Sequence, residues 1–297
     1  MATLESFVEH LEFLEKTSVR LRIDLLRMLH NAQSGHLGGS LSVIEMLVAL
    51  YYGQLPRGQV MRYDPEKPGS EEQDYFVLSK GHASPALYTV LADLEFFDKE
   101  ELADFRQVNS KLQAYPSKKI PGITLCSGSP AFGFAGAVGL AMALKADRQP
   151  WNVFCLVGDG ELQDGQFWEA VLLAHHYKLD NLIVMIDYNG LQMDGSLRST
   201  VTVEPIADKF EGFGWKSINV IDGHNFEDLL IGLERGLEIQ RRPTVLICRT
   251  VKGKGVEFAE GKASYHAEVL SDQEMKAALP ALEAQLRSYS QSSQHHV

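Results

Sequence analysis

NVFCLVGDGELQDGQFWEA, residues 152–170, decides the fold. Its first six residues are apolar and β-prone, the pattern of a strand buried on both faces of a parallel sheet. The strand ends in Gly158-Asp159-Gly160-Glu161, and helical spacing begins near Phe167-Trp168-Glu169-Ala170. A second buried strand, LIVMI at 182–186, follows that helix and closes in Asp187-Tyr188-Asn189-Gly190. The result is a β-α-β unit whose two polar ends fall at the carboxyl edge of one sheet, where open α/β proteins bind ligands. Asp159 and Asn189 offer hard oxygen ligands at those ends, suited to a magnesium ion that also takes two phosphate oxygens. Asp-Gly and Asn-Gly are also common turn formers, because Gly and Asn tolerate positive φ. Either dipeptide alone reads as a turn. Both together, each closing a buried strand of one unit, point to a metal and diphosphate site.

The 297 residues are 45% hydrophobic, enough to bury one large core or two small ones. The net charge of −11 argues against nucleic acid or an anionic membrane as the main partner. An anionic ligand would then need a local positive field or a metal. Cys126, Cys155 and Cys248 are isolated, with neither a paired metal motif nor a disulfide framework. Cys155 and Cys248 stand in apolar runs and read as core. The start, MATLESFVEHLEF, carries early acids and no long apolar run, so it does not read as a signal peptide. No stretch has the length of a membrane span. A soluble cytoplasmic protein is the expectation.

Residues 4–30 show helical periodicity, as one long amphipathic helix or two shorter ones. SGHLGGS at 34–40 breaks it, and Ser40 or Ser42 can cap a helix over 43–52. A polar loop with three prolines fills 53–73, followed by a strand over 74–79 and a helix from about Pro85. After an irregular stretch at 106–130, residues 131–146 form a small-residue helix. Further strands over 215–221 and 244–248 flank a helix over 226–240. The expected organisation is a single α/β domain over 1–285, doubly wound around a mainly parallel sheet with helices on its faces. Residues 286–297 read as a disordered polar tail.

With these landmarks placed, the chain resembles the amino-terminal, diphosphate-binding part of transketolases. The matching segments are SGHLGGS (34–40), LSKGHAS (78–84), GDGELQDGQFWEA (158–170), KLDNLIVMIDYNGLQMDG (178–195), FGW (213–215), IDGH (221–224) and RTVKGKG (249–255). The resemblance implies the thiamine-diphosphate-binding fold, with thiamine diphosphate and Mg2+ (or Ca2+ or Mn2+) as cofactors. Asp159, Asn189 and the main-chain carbonyl of Leu191 would bind the metal. Gly160 and Lys252 would contact the cofactor, with Glu161 beside them. Gly128, Ser129 and Pro130 would lie along its thiazolium side. A bridging metal and one lysine would supply the positive charge that the acidic background lacks.

Three histidines complete the implied site. From sequence alone His36, His82 and His266 read as surface or capping residues. The resemblance instead places His82 near the cofactor, and His36 and His266 at donor and acceptor hydroxyls. Imidazoles suit that task, since they donate to a developing alkoxide and shuttle protons near neutral pH. His175 and His176 match nothing catalytic and read as structural, and His295 and His296 belong to the tail. Asp164 matches a family glutamate that joins two active sites across a subunit interface. It reads either as a proton relay or as a helix amino-terminal acid favoured by the dipole.

Three motifs on the substrate side depart from the family. Gly-His-Pro becomes Ala114-Tyr115-Pro116, which keeps a hydroxyl donor but loses a proton-accepting nitrogen. Thr-Gly-Ser-Leu-Gly-Gln-Gly becomes SGSPAFG at 127–133, where Phe132 replaces a polar residue. Trp-His-Gly-Lys becomes Tyr265-His266-Ala267-Glu268, an anion for a cation. Carboligation chemistry is expected to be kept and substrate choice to have changed, away from phosphorylated acceptors.

One-chain transketolases continue into a pyrimidine-binding domain and a third domain. The chain is therefore expected to be the smaller subunit of a split, two-chain enzyme, inactive alone. It would work in an α2β2 assembly with a C-terminal transketolase-like subunit. That assembly would move a two-carbon unit from a ketone donor to an aldehyde-type acceptor. Two rivals stay open: the α subunit of a 2-oxo acid dehydrogenase, which shares the metal motif, and a non-catalytic scaffold that retains the cofactor site.

Overall fold

Alternating buried strands and helices fold, in the computed structural model, around one sheet; the structure describes residues 4–292. Helix α1 (Leu4–Ala32) leads into a short α2 (Leu37–Leu41) and the apolar α3 (Ile44–Tyr52). A small antiparallel hairpin, β1 (Gln54–Leu55) with β2 (Gly58–Gln59), sits inside the expected polar loop. Strand β3 (Tyr75–Leu78) then precedes α4 (Ser84–Asp93), which has Pro85 in its first turn. Helix α5 (Phe132–Ala146), β4 (Val153–Gly158), α6 (Gly165–His176) and β5 (Leu182–Tyr188) form the central unit. A second hairpin, β6 (Leu191–Gln192) with β7 (Gly195–Ser196), follows, then α7 (Ile206–Gly212), β8 (Lys216–Val220), α8 (Phe226–Glu238), β9 (Thr244–Arg249) and α9 (Asp272–Ser292).

The five long strands pair in the order β3-β4-β5-β9-β8, all parallel. The sheet is doubly wound, as its sequence pattern implies. Phe154, Leu156, Ile183 and Met185 point into a core shared with α1, α3, α4 and α8. Val153, Cys155, Val157, Val184 and Ile186 point into the opposite core, under α5, α6 and α7. Burial on both faces is why these strands read as continuous apolar runs rather than alternating ones. On the second face Phe134 stacks on Phe167 with ring centroids 4.4 Å apart, and Trp215 and Phe210 close the cluster. Among the described residues no helix is long and apolar enough to cross a membrane.

Two expectations are corrected. Neither Ser40 nor Ser42 caps α3: Ser40 Oγ donates to the His36 carbonyl at 2.7 Å, and Ser42 Oγ reaches Asp187 at 2.7 Å. The tail expected to be disordered from 286 is helical to Ser292, and Leu286 and Tyr289 pack on the first core beyond Leu282. Met275, Ala278, Leu282, Leu286 and Tyr289 recur every three or four residues, which is the spacing of a packed helix face. His295 and His296 lie outside the described residues.

Candidate active site

Four strand ends converge at the carboxyl edge of the sheet. Beyond β3, Ser79 and Lys80 lead into a 3-10 turn, Gly81–Ala83, that carries His82. Beyond β4, a second 3-10 turn, Asp159–Gln163, carries Asp159, Gly160 and Glu161. Beyond β5 come Asn189 and Gly190, and beyond β9 comes Lys252. The line of these ends forms a cleft of about 260 Å³.

The residues at the ends of β4 and β5 are tied to one another. The Gly190 amide donates to Asp159 Oδ2 at 2.7 Å, and its φ of +73° is one that glycine adopts without strain. Asn189 Nδ2 donates to Asp187 Oδ2 at 2.9 Å, which commits the amino end of that amide. Oδ1 is then the end that accepts, already from the Leu191 amide at 3.0 Å. Burial and the neighbouring Asp187 push the Asp159 carboxyl up to about 7. An Asp carboxylate, an Asn carbonyl and the Leu191 carbonyl form a hard oxygen set of the kind magnesium takes. Among the described residues no group of three or more His, Cys, Asp or Glu could hold a metal on its own. A hard cation held by such a set would take its remaining oxygens from water or from a ligand such as a diphosphate. The residues fit that arrangement.

Lys252 provides the fixed positive charge. Its Nζ donates to the Leu191 carbonyl at 3.2 Å and to His266 Nδ1 at 2.8 Å. Burial and the nearby Lys80 lower its pKa to about 8, against the pull of Asp187 and Asp159. Because His266 Nδ1 accepts from an ammonium, the ring proton of the neutral imidazole sits on Nε2. Three imidazoles stand together: His82 and His266 have ring centroids 5.0 Å apart, His36 and His82 5.4 Å, His36 and His266 5.6 Å. Burial, followed by Lys252, pushes His266 down to about 3. Burial and Lys80 hold His82 far below the usual histidine range, and burial with Arg106 lowers His36. All three rings are thus neutral near pH 7, each with one N–H donor and one acceptor nitrogen. Glycine at 39 makes room for them, since a Cβ there would lie 2.9 Å from His82 Nε2.

The cleft brings together His82, Gly128, Pro130, Asp159, Gly160, Glu161, Asn189, Leu191, Lys252 and His266, all expected from sequence. His36 joins through its ring contacts. Ser129 does not line the cleft, and Asp164 lies outside it as the N-cap of α6, where its Oδ1 accepts from the Gln166 amide at 2.9 Å. Glu161 lines the cleft and is also bonded to the loops around it. Its Oε1 accepts from Ser79 Oγ at 2.7 Å and the Ala131 amide at 3.0 Å, and its Oε2 accepts from the Gly158 amide at 2.8 Å. It braces the loops around the cleft.

Sequence reasoning missed the support beneath the cleft. Lys80 is buried and forms a short ion pair with Asp187, which is itself fully buried. Asp187 also accepts from Ser42, Asn189 and Thr250. A buried lysine needs an acid partner, and Asp187, 107 residues along the chain, supplies it. The hairpin residues Gln192, Met193 and Asp194 line the cleft as well. Of the three departures from the family, Tyr115 stands at the mouth, its ring 6.4 Å from that of His36 and beside Gly128. Phe132 is exposed at the start of α5, and Glu268 is exposed two residues beyond His266.

Known proteins agree with this geometry. The chain matches the family described as "Transketolase, thiamine diphosphate binding domain" over residues 15–287. It is 40% identical to the 6-deoxy-6-sulfo-D-fructose transketolase subunit SqwG of Clostridium sp., over 84% of this chain and 88% of that protein. It is 35% identical to one of the subunits of the apulose-4-phosphate transketolase of Phocaeicola vulgatus, over 90% of this chain and 93% of that one. Human transketolase is 34% identical over 94% of this chain, which spans only 44% of the human protein. The crystal structure of Campylobacter jejuni transketolase superposes with a TM-score of 0.82 at 27% identity, covering 94% of this chain and 48% of that one. A match over nearly the whole chain means that this protein belongs to the transketolase family and corresponds to its thiamine-diphosphate-binding domain.

Proposed function

We propose that this chain is the diphosphate-binding subunit of a two-chain transketolase-like transferase. It would act in the cytoplasm, in an α2β2 assembly with a C-terminal transketolase-like subunit. The observation that carries the reading is the set of three neutral imidazoles and Lys252 grouped against the Asp159–Asn189 edge. Relatives of similar length that are named as transketolase subunits support it too. They also disfavour the 2-oxo acid dehydrogenase and scaffold readings.

Asp159, Asn189 and the Leu191 carbonyl would hold the magnesium, with Gly160 and Lys252 at the diphosphate and Gly128 and Pro130 on the ring side. When bound, thiamine diphosphate supplies the carbon nucleophile for breaking and remaking a C–C bond. This chain's residues orient the substrate. His36 and His266 would receive hydroxyls of the donor and acceptor, each imidazole both accepting and donating because it is neutral. His266 presents its Nε2–H, its other nitrogen being held by Lys252. His82, the most deeply set of the three, would move a proton at the reacting oxygen. Asp164 would take part in communication between two sites across an interface.

Substrate choice is proposed to differ from the usual sugar phosphates. Tyr115 narrows the mouth beside His36, and Glu268 adds negative charge near His266. The two named relatives act, by their names, on a sulfonated sugar and on apulose 4-phosphate, which supports a specialised substrate. Turnover of phosphorylated and unphosphorylated ketoses by the assembled pair would test this, and a strong preference for xylulose 5-phosphate would sink it. Titrating thiamine diphosphate and magnesium into the pair tests the site itself. Asp159→Ala should lose at least about tenfold in affinity, in line with the removal of a metal ligand or its support; unchanged affinity would refute the assignment.

A further inference from the structure

The IDGH turn at 221–224 contributes no atom to the cleft, yet it is bonded to the segment that brings Lys252 there. His224 Nε2 accepts from the Val251 amide at 2.8 Å, one residue before Lys252. A backbone amide only donates, so Nε2 carries the lone pair and the ring proton of the neutral imidazole sits on Nδ1. Nδ1–H donates to Glu45 Oε2 at 2.9 Å. The other Glu45 oxygen takes the Arg22 guanidinium in a short charge-assisted bond, and Arg22 Nε donates to the Lys254 carbonyl at 3.0 Å. This chain of side chains begins on Val251 and ends on Lys254, bracketing Lys252.

Arg22 and Glu45 are each 4% exposed, and the His224 side chain is 7% exposed. Close approach is built into the backbone around them. A Cβ on Gly223 would lie 2.7 Å from Thr250 Cγ2 and 2.9 Å from the Arg249 carbonyl, and one on Gly255 would lie 2.7 Å from Arg22 Cδ. Asp222 Oδ1 accepts from the His224 amide at 2.8 Å and sets the turn. Burying such a triad costs desolvation that apolar side chains of the same volume would avoid. What apolar packing cannot supply is a directed acceptor for the Val251 amide and a donor for the Lys254 carbonyl.

We propose that Arg22, Glu45 and His224 are positioning residues that fix the backbone at 251 and 254 and thereby the reach of Lys252 into the cleft. The consequence for ligand binding rests on the reading of Lys252 as a diphosphate contact, while the positioning itself does not. Hydrogen–deuterium exchange on the full chain tests the positioning without any cofactor. In His224→Phe, amides of 250–254 should exchange about tenfold faster or more, while those of 158–161 keep their rates. Unchanged protection at 250–254 would overturn the proposal. If circular dichroism shows that His224→Phe has not folded, Glu45→Gln serves for the same comparison.

A double-mutant cycle tests the consequence. Thiamine diphosphate with magnesium is titrated into the chain assembled with its partner subunit. His224→Phe should weaken binding roughly tenfold, the effect typical of a residue that orients a ligand-holding group. In a Lys252→Met background the same change should cost nothing further, and His224→Gln should restore part of the affinity. Equal losses in both backgrounds would place the effect of His224 elsewhere and overturn the proposal. An assembled wild type that binds no thiamine diphosphate would instead refute the proposed function and leave the exchange result to decide the positioning.

Discussion

Glu45 is ionised where water is nearly absent. Burial opposes its charge, but Arg22 and the His224 hydrogen bond more than compensate and hold its carboxyl at about 2, below the ordinary 4.5. A carboxyl lowered on folding stabilises the native state above its unfolded pKa, and that contribution fades as the pH falls through the folded value. At about 1.4 kcal/mol per pH unit, the shift is worth on the order of 3 kcal/mol. Glu45→Gln should therefore be less stable than wild type at pH 7 by a few kcal/mol, with the gap narrowing between about pH 4.5 and 2. Urea denaturation of both proteins across that range measures it, and a gap independent of pH would show that the carboxylate charge is not what stabilises. At this scale the sequence revealed the residues of the cleft better than their supports. Asp159, Asn189 and Lys252 were legible because each sits in a short motif whose local order states its chemistry. Lys80, Asp187, Glu45 and Arg22 were not, because their partners lie far along the chain and only folding brings them together.

Among the elements, the ends of β3 and β4 and the start of α5 are joined by Glu161. It holds Ser79 beyond β3, Gly158 at the end of β4 and Ala131 just before α5. Both of its oxygens face donors, so Glu161→Gln must turn an amino group toward one of them. An unsatisfied or opposed buried donor costs roughly 1–3 kcal/mol. The urea midpoint should fall accordingly, and an unmoved midpoint would mean the loops hold without this carboxylate. The strands and long helices were legible in the sequence because their apolar periods run for many residues. The two-residue hairpins have too little length for any period. Helix α9 was missed for another reason: its polar, Ser- and Gln-rich end masked an apolar face that recurs only once per turn. Glu161 reads as a cofactor residue from sequence, because its place in the Gly-Asp-Gly-Glu run gives no hint that Ser79 and Ala131 come to it.

For the whole molecule, the question is which surface meets a partner. The carboxyl edge of the sheet is lined by the polar residues of the cleft, but helix α6 presents something else. Leu172, Leu173 and Tyr177 are 57%, 42% and 49% exposed on its outer side, and Phe132 is exposed at the start of the neighbouring α5. Leu172, Leu173 and Tyr177 lie within one and a half turns of one another at the end of α6, and an exposed apolar cluster is the kind of surface a partner covers. The inner side of α6 buries Phe167, Ala170, Val171 and Ala174, so the outer residues can change without opening the core. Leu172→Arg should leave the circular dichroism spectrum and the unfolding midpoint nearly as they are, because surface substitutions usually shift stability by only about 0.5 kcal/mol. It should nonetheless lower the sedimenting mass of the chain mixed with its partner subunit, since a buried unpaired charge at an interface costs several kcal/mol. Sedimentation velocity on both mixtures reads this directly. An unchanged mass would remove α6 from the contact and leave the assembly to be sought along the cleft edge, where the active site itself would have to be shared.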